Sequence, residues 1–220
     1  FYPNWSSHAT DVELIESDEI WANFAPQANF LKLEFQSDHG SVLGFEEKVT
    51  FGEDLVLTAI AKENYEFVNW ELIKEATFQV ERNQSTINPL KTRIYLNSEE
   101  SPELFVIRGF TYHFDCNLSD GDGFFISTSN DSNDQDSYYL TGINGHLTDS
   151  GVLSFTVPLD APDTLYYHAS AAEHSGNRIK VFSINDESLV SKPSNHIFSE
   201  RITHHFGIKA NFERTRHSFY

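Results

Sequence analysis

Methionine is absent from the 220 residues, and a single cysteine, Cys116, stands alone. One cysteine excludes an intrachain disulfide and a cysteine-rich zinc site. Cations are also scarce: 15 Lys and Arg stand against 33 Asp and Glu, a formal charge of −18. Such a surface repels phosphate backbones, so nucleic acid is not an expected partner. No run approaches the roughly 18 apolar residues of a membrane span, and no cationic-then-apolar leader opens the chain. Catalytic signatures are missing as well. There is no Gly-x-Ser-x-Gly elbow, no His-Glu-x-x-His, no phosphate-cradling glycine loop and no dinucleotide fingerprint. Paired carboxylates abound, but in so acidic a chain they discriminate nothing.

What is present is alternation. Leu31-Lys32-Leu33-Glu34-Phe35, Leu55-Val56-Leu57-Thr58-Ala59, Tyr112-His113-Phe114 and Leu153-Ser154-Phe155-Thr156-Val157 read as half-buried strands. Gly, Pro, Asn and Asp break the runs at short intervals, as at Asp38-His39-Gly40 and Asp120-Gly121-Asp122-Gly123. Only 72–80 and 169–173 lean towards helix. The chain is therefore expected to be all-β. Cys116 shares a strand face with Tyr112 and Phe114, which places it in a core as a small hydrophobe.

A second pattern is a repeat. Ile20-Trp21-Ala22-Asn23-Phe24 returns as Ile208-Lys209-Ala210-Asn211-Phe212. Each is preceded by an aromatic turn ending in tryptophan: Tyr2-Pro3-Asn4-Trp5 in one copy, Phe67-Val68-Asn69-Trp70 in the other. Trp5 and Phe24 lie 19 positions apart, whereas Trp70 and Phe212 lie 142 apart. A repeat stretched so far contains an inserted domain. The reading divides the chain into 1–24 (back half of a preceding repeat), 28–84 (front half of a second), 88–184 (the insert), 187–212 (back half of the second) and 213–220 (start of a following repeat or tail). Phe1 falls in mid-repeat, so the start reads as a cut from a longer array. The structural core of the repeats is expected at Trp5, Phe24, Tyr65, Phe67, Trp70 and Phe212, because these rings are the largest apolar surfaces a small sheet possesses.

Two resemblances follow from these residues. The order Gly40-Ser41-Val42, Phe51-Gly52-Glu53, Leu57-Thr58-Ala59 and Tyr65 to Trp70 resembles the bacterial surface repeat related to the B-repeats of internalins, a small β-grasp-like module. Within the insert, Leu104 to Asp115 and Gly151 to Tyr167 resemble the opening and closing halves of a Greek-key cupredoxin-like β-sandwich. That second resemblance implies a copper position, and the chain departs from it. Asp122 stands where the first His is expected, His168 where the Cys is expected and Asn177 where the Met is expected, while His174 keeps its counterpart. Without the thiolate a blue-copper centre is excluded there. Two readings stay open: Asp122, His168 and His174 hold Zn2+ or a non-blue Cu2+, or the site has decayed.

Calcium is a separate candidate. Asp120, Asp131, Asp134 and Asp136 concentrate oxygen ligands in loops, as a hard cation prefers, although neither loop fits the EF-hand pattern. The alternative is a solvated acidic loop. His204-His205 reads as a solvated pair, and Trp21 as either an interdomain packing residue or a sugar-stacking platform. Taken together, the sequence implies a non-catalytic structural or adhesive segment of a bacterial extracellular or cell-surface repeat protein. Its expected partners are neighbouring repeats and a cell-surface or glycan target, with no membrane span. The alternative is a metal- or ligand-binding module acting through Asp122, His168 and His174.

Overall fold

The computed structural model describes residues 28–215, except 51, 87, 119–120, 132–133, 171–175, 184–196 and 202–205. The expected core residues Trp5 and Phe24, the metal candidate His174, the calcium candidate Asp120, Trp21 and the pair His204-His205 lie outside the described residues.

The alternating stretches fold as strands, in chain order β1 (Ala28–Phe35), β2 (Gly40–Leu43), β3 (Lys48–Thr50), β4 (Asp54–Ala61), β5 (Tyr65–Ile73), β6 (Glu75–Gln84), β7 (Thr92–Leu96), β8 (Glu99–Glu100) and β9 (Leu104–Ile107). They continue as β10 (Thr111–Asn117), β11 (Phe124–Ser127), β12 (Ile143–Asn144), β13 (Ser150–Thr156), β14 (Thr164–Ala169), β15 (Asn177–Phe182), β16 (Ile197–Arg201) and β17 (Phe206–Arg214). Among the described residues the one helical turn is a 3-10 turn at Gln135–Ser137. The helix-leaning stretch 72–80 is extended. Ala76, Phe78 and Val80 are buried while their neighbours are exposed, a period of two that only a strand satisfies.

Two layers form the repeat. A four-stranded sheet, β3-β1-β17-β5, packs its inner face against a three-stranded sheet, β16-β4-β2. Trp70 lies between them. Its ring is 5.3 Å from Phe67 and 6.0 Å from Phe198, and Phe67 meets Phe212 edge-on at 5.8 Å. Register explains this cluster: Trp70 pairs with Ala210 and Phe67 with Phe212, a shift of one residue being absorbed by a bulge at Asn211/Phe212. Ala210 leaves the space that the indole occupies. Gly40 does the same for Phe212, since a Cβ there would lie 2.5 Å from the phenyl ring. Burying an indole of roughly 200 Å² contributes about 5 kcal/mol of gross transfer free energy. In so thin a module that is a large share.

The insert is a sandwich of a six-stranded sheet, β12-β13-β10-β6-β7-β8, and a four-stranded sheet, β11-β14-β15-β9. Stacked rings fill it: Phe78 on Phe114 at 5.3 Å, Phe114 on Phe124 across the layers at 5.0 Å, and Phe124 beside Tyr167 at 6.0 Å. The strand pairing also moves the domain boundary. The division at 84 and 88 leaves Glu75–Gln84 in the repeat, but β6 runs parallel to β10 along its length, from Glu75↔Thr111 to Glu81↔Asn117. It belongs to the sandwich. β5 therefore passes from the edge of the repeat's sheet into β6 with only Lys74 between. Beside this junction Lys48 of β3 forms an ion pair with Glu99 of β8.

Candidate functional site

Two places concentrate features that packing alone does not require. One is the loop-bearing end of the sandwich; the other is the pairing of the repeat's first and last strands.

At the sandwich end, the chain turns into β11 through Gly121, Asp122 and Gly123. Ser170 holds the turn: its Oγ accepts from the Gly123 amide at 2.8 Å and donates to the Gly121 carbonyl at 3.1 Å. Gly123 has no freedom to carry a side chain, since a Cβ would meet the Leu147 carbonyl oxygen at 2.7 Å. This turn buries Asp122, which is 1% exposed. A buried carboxylate needs a partner, and β6 supplies one. Arg82 Nη1 donates to Asp122 Oδ2 at 2.6 Å, while its Nε and Nη2 both donate to Thr92 Oγ1, at 3.1 and 2.9 Å. The ion pair ties the six-stranded sheet to the turn that enters the other sheet.

His168, on β14 opposite Phe125, is equally buried. Its Nε2 lies 3.0 Å from the carbonyl oxygen of Ser129. A carbonyl only accepts, so Nε2 carries the proton and donates. The ring packs 5.3 Å from Phe125. His146 lines the same end, 4.7 Å from Tyr138, and burial lowers its pKa from the usual imidazole range.

These contacts test the proposed metal set. A cation at Asp122 would have to displace a guanidinium already bonded to that carboxylate. His168 donates through Nε2 to a carbonyl, a contact that the second nitrogen of a metal-ligating histidine also makes. Among the described residues no three His, Cys, Asp or Glu side chains gather to hold a metal ion. Of the proposed set, Asp122 does not fit a metal, since Arg82 supplies the positive charge that one would bring; His174 lies outside the described residues. The described calcium candidates lie on a surface loop. Asp131, Asp134 and Asp136 are exposed, and hydroxyls shape their loop. Ser137 Oγ donates to the Asp134 carbonyl at 2.6 Å and lies 2.7 Å from Ser127 Oγ, while the Thr128 amide donates to the Ser137 carbonyl at 2.9 Å. Cys116 lies on the buried face of β10, where desolvation pushes its thiol up to about 12. It is not a nucleophile at neutral pH.

In the repeat, Tyr65 stacks on His39 at 4.2 Å, outside the Trp70 cluster that unites Phe67 and Phe212. β1 and β17 lie side by side and parallel, from Leu31↔Phe206 to Phe35↔Ala210. The outward face of their sheet is a charged row. Glu34 pairs with Lys209 and Lys209 with Glu71, Lys209 Nζ being 3.6 Å from Glu71 Oε2. Next to it Asn211 Nδ2 donates to Asn69 Oδ1 at 3.1 Å. Arg82, Lys48 and this row carry no sequence signal, because each partner lies on a distant strand.

Residues 31–90 match the divergent InlB B-repeat domain family. No curated protein matches the chain. Among solved structures, a methionine-to-glutamine mutant of rusticyanin shares 14% identity with a TM-score of 0.31, covering 50% of this chain and 78% of that chain. Rusticyanin itself, described as a copper protein, shares 15% identity with a TM-score of 0.32 over the same shares. The family match and the strand pairing differ instructively. At the spacing of Trp5 and Phe24, a repeat begun at Trp70 would close near position 89, where the match ends. Here that stretch follows β6 in the sandwich, and β17 closes the repeat instead. No helix among the described residues is long and apolar enough to cross a membrane.

Proposed function

We propose that this chain is a non-catalytic, tension-bearing segment of a bacterial extracellular or cell-surface repeat protein, whose inserted sandwich presents loops to a partner. The parallel pairing of β1 with β17 carries the reading. Tension applied through the flanking chain pulls β1 from its N-terminal end and β17 from its C-terminal end. In a parallel pair these ends are opposite, so the interstrand hydrogen bonds are loaded together in shear rather than opened one at a time. Force crosses directly from β1 to β17. The sandwich, attached between β5 and β16, hangs outside that path.

A repeat that resists extension while sparing its insert suits a stalk carrying a recognition domain. Neighbouring repeats would extend its reach, and the sandwich loops 128–149 would meet a cell-surface or glycan target. Single-molecule extension, with handles at the two ends of the chain, tests the proposal. The expected record is one resistant event as β1 and β17 part, followed by unfolding of the sandwich, which feels tension only then. A trace in which the sandwich unravels first would overturn it.

A further inference from the structure

The last strand of the repeat outruns its first. β1 accompanies β17 from Leu31↔Phe206 to Phe35↔Ala210. It then turns out of the sheet, the His39 and Gly40 amides both donating to the Gln36 carbonyl, at 3.0 and 3.1 Å. β5 continues beside β17 as far as Arg214↔Tyr65, and on that same side the Thr215 amide donates to the Asn64 carbonyl at 2.9 Å. Asn211, Phe212, Glu213 and Arg214 therefore pair with β5 and, among the described residues, with no second strand. Those four residues leave roughly 13 Å of open edge. Such an edge is a template for another chain. Cavities flank it on both faces. One, of about 670 Å³, lies outward beside Gln36, Asn69 and Asn211. The other, of about 590 Å³, lies beside His39, Tyr65 and Arg214, and both reach Phe212 and Glu213.

We infer that this edge accepts an added β-strand from a basic partner polypeptide, whose alternate side chains enter the two cavities. A strand sends successive side chains to opposite faces, and here each face has room for them. Pairing with the β17 backbone supplies affinity, and the cavities supply selectivity. Charge identifies the partner. Glu213 reaches both cavities and has no ion-pair partner among the described residues. Lys209, in the outward cavity, is already held by Glu71. A Lys or Arg on the added strand opposite Glu213 completes a cross-strand ion pair. Arg214, in the other cavity, repels a cation, so the partner's cations belong at every second position. The formal charge of −18 draws such a segment in from a distance. For the same reason a second copy of this chain is the poorer occupant.

The test uses the full chain and a short peptide of alternating Lys and Thr, read by hydrogen exchange and by fluorescence anisotropy. Peptide in large excess should slow amide exchange across 211–214 while β10 and β14 keep their rates. A peptide of alternating Lys and Pro carries the same charge but lacks half the backbone donors. It should bind about tenfold more weakly, the factor for ~1.4 kcal/mol. Glu213→Lys should weaken the Lys-Thr peptide by about the same factor, and Glu213→Gln in the same direction by less. Glu81→Lys makes the same charge change at an exposed position on the sandwich and should leave the affinity unchanged. Exchange of the peptide-free variants, matching the parent, guards against a folding defect. No protection at 211–214, protection at another strand instead, equal binding of the Lys-Pro peptide, or an equal loss from Glu81→Lys would each overturn the inference. The extension record reports how β1 parts from β17 and is independent of this outcome.

Discussion

The repeat and its insert solve the same problem, covering both faces of small sheets, with different resources. The sandwich distributes its core over many stacked rings, so Phe78, Phe114, Phe124 and Tyr167 share the burial. The repeat concentrates burial on one indole, Trp70, which meets Phe67 of β5 and Phe198 of β16, while Phe212 of β17 packs on Phe67. Two of those strands arrive only after the chain has returned from the sandwich. The lesson concerns order of assembly. The sandwich completes itself from consecutive sequence, whereas the repeat depends on closing a very long loop, whose entropic cost grows only slowly with length.

Trp70→Ala should break this comparison most severely. A loss of about 3–5 kcal/mol is expected for deleting a fully buried tryptophan. Hydrogen exchange should show β4 and β17 losing protection while β10 and β14 keep theirs; parallel loss in both would mean a single cooperative unit. Asp122→Ala attacks the other region. It strands the Arg82 guanidinium beside Thr92, and breaking a buried pair costs roughly 3 kcal/mol or more. Denaturant unfolding of Asp122→Ala with Arg82→Met should recover most of that loss, and failure to recover would show that the turn, not the charge, needs the carboxylate.

A third prediction concerns alkali. Burial raises the Cys116 thiol from its ordinary 9.0 to about 12. Below pH 9 both folded and unfolded chains hold the proton. Above it the unfolded chain releases the proton first, so stability falls by about 1.4 kcal/mol per pH unit until the folded thiol also ionises. Denaturation midpoints at pH 8 and 10 should diverge less in Cys116→Val than in the parent; an unchanged difference would exclude the thiol as a cause. The smallest effect is expected from Lys48→Ala. The Lys48–Glu99 pair joins repeat to sandwich at an exposed position, and such pairs contribute about 0–1 kcal/mol. A larger loss would show that the two bodies stabilise each other, sharpening the contrast into a dependence.

Much of this was legible in the residues. The doubled Ala-x-Phe pattern announced that Phe212 belongs with Trp70, and β17 pairs with β5 accordingly. Strand alternation identified Cys116 as a core residue. The boundary was not legible, because Ala76, Phe78 and Val80 present the same alternation whether their strand joins the repeat or the sandwich. Nor was the fate of Asp122. Its position suggested a ligand, but the decisive group is Arg82, 40 residues earlier on another strand. A stretch such as 72–80, whose residues suit helix and strand alike, was decided by pairing with β17 at its start and with β10 from Glu75 on.

The sequence alone therefore settled the strand-rich class, the interrupted repeat and the lack of a thiolate, since period, motif and composition are local properties that survive in any fold. Only the tertiary structure decided which sheet took β6, which cation Asp122 faced, and that β17 runs on beyond the end of β1. Those outcomes depend on residues distant along the chain becoming neighbours, and no local pattern records which neighbour wins.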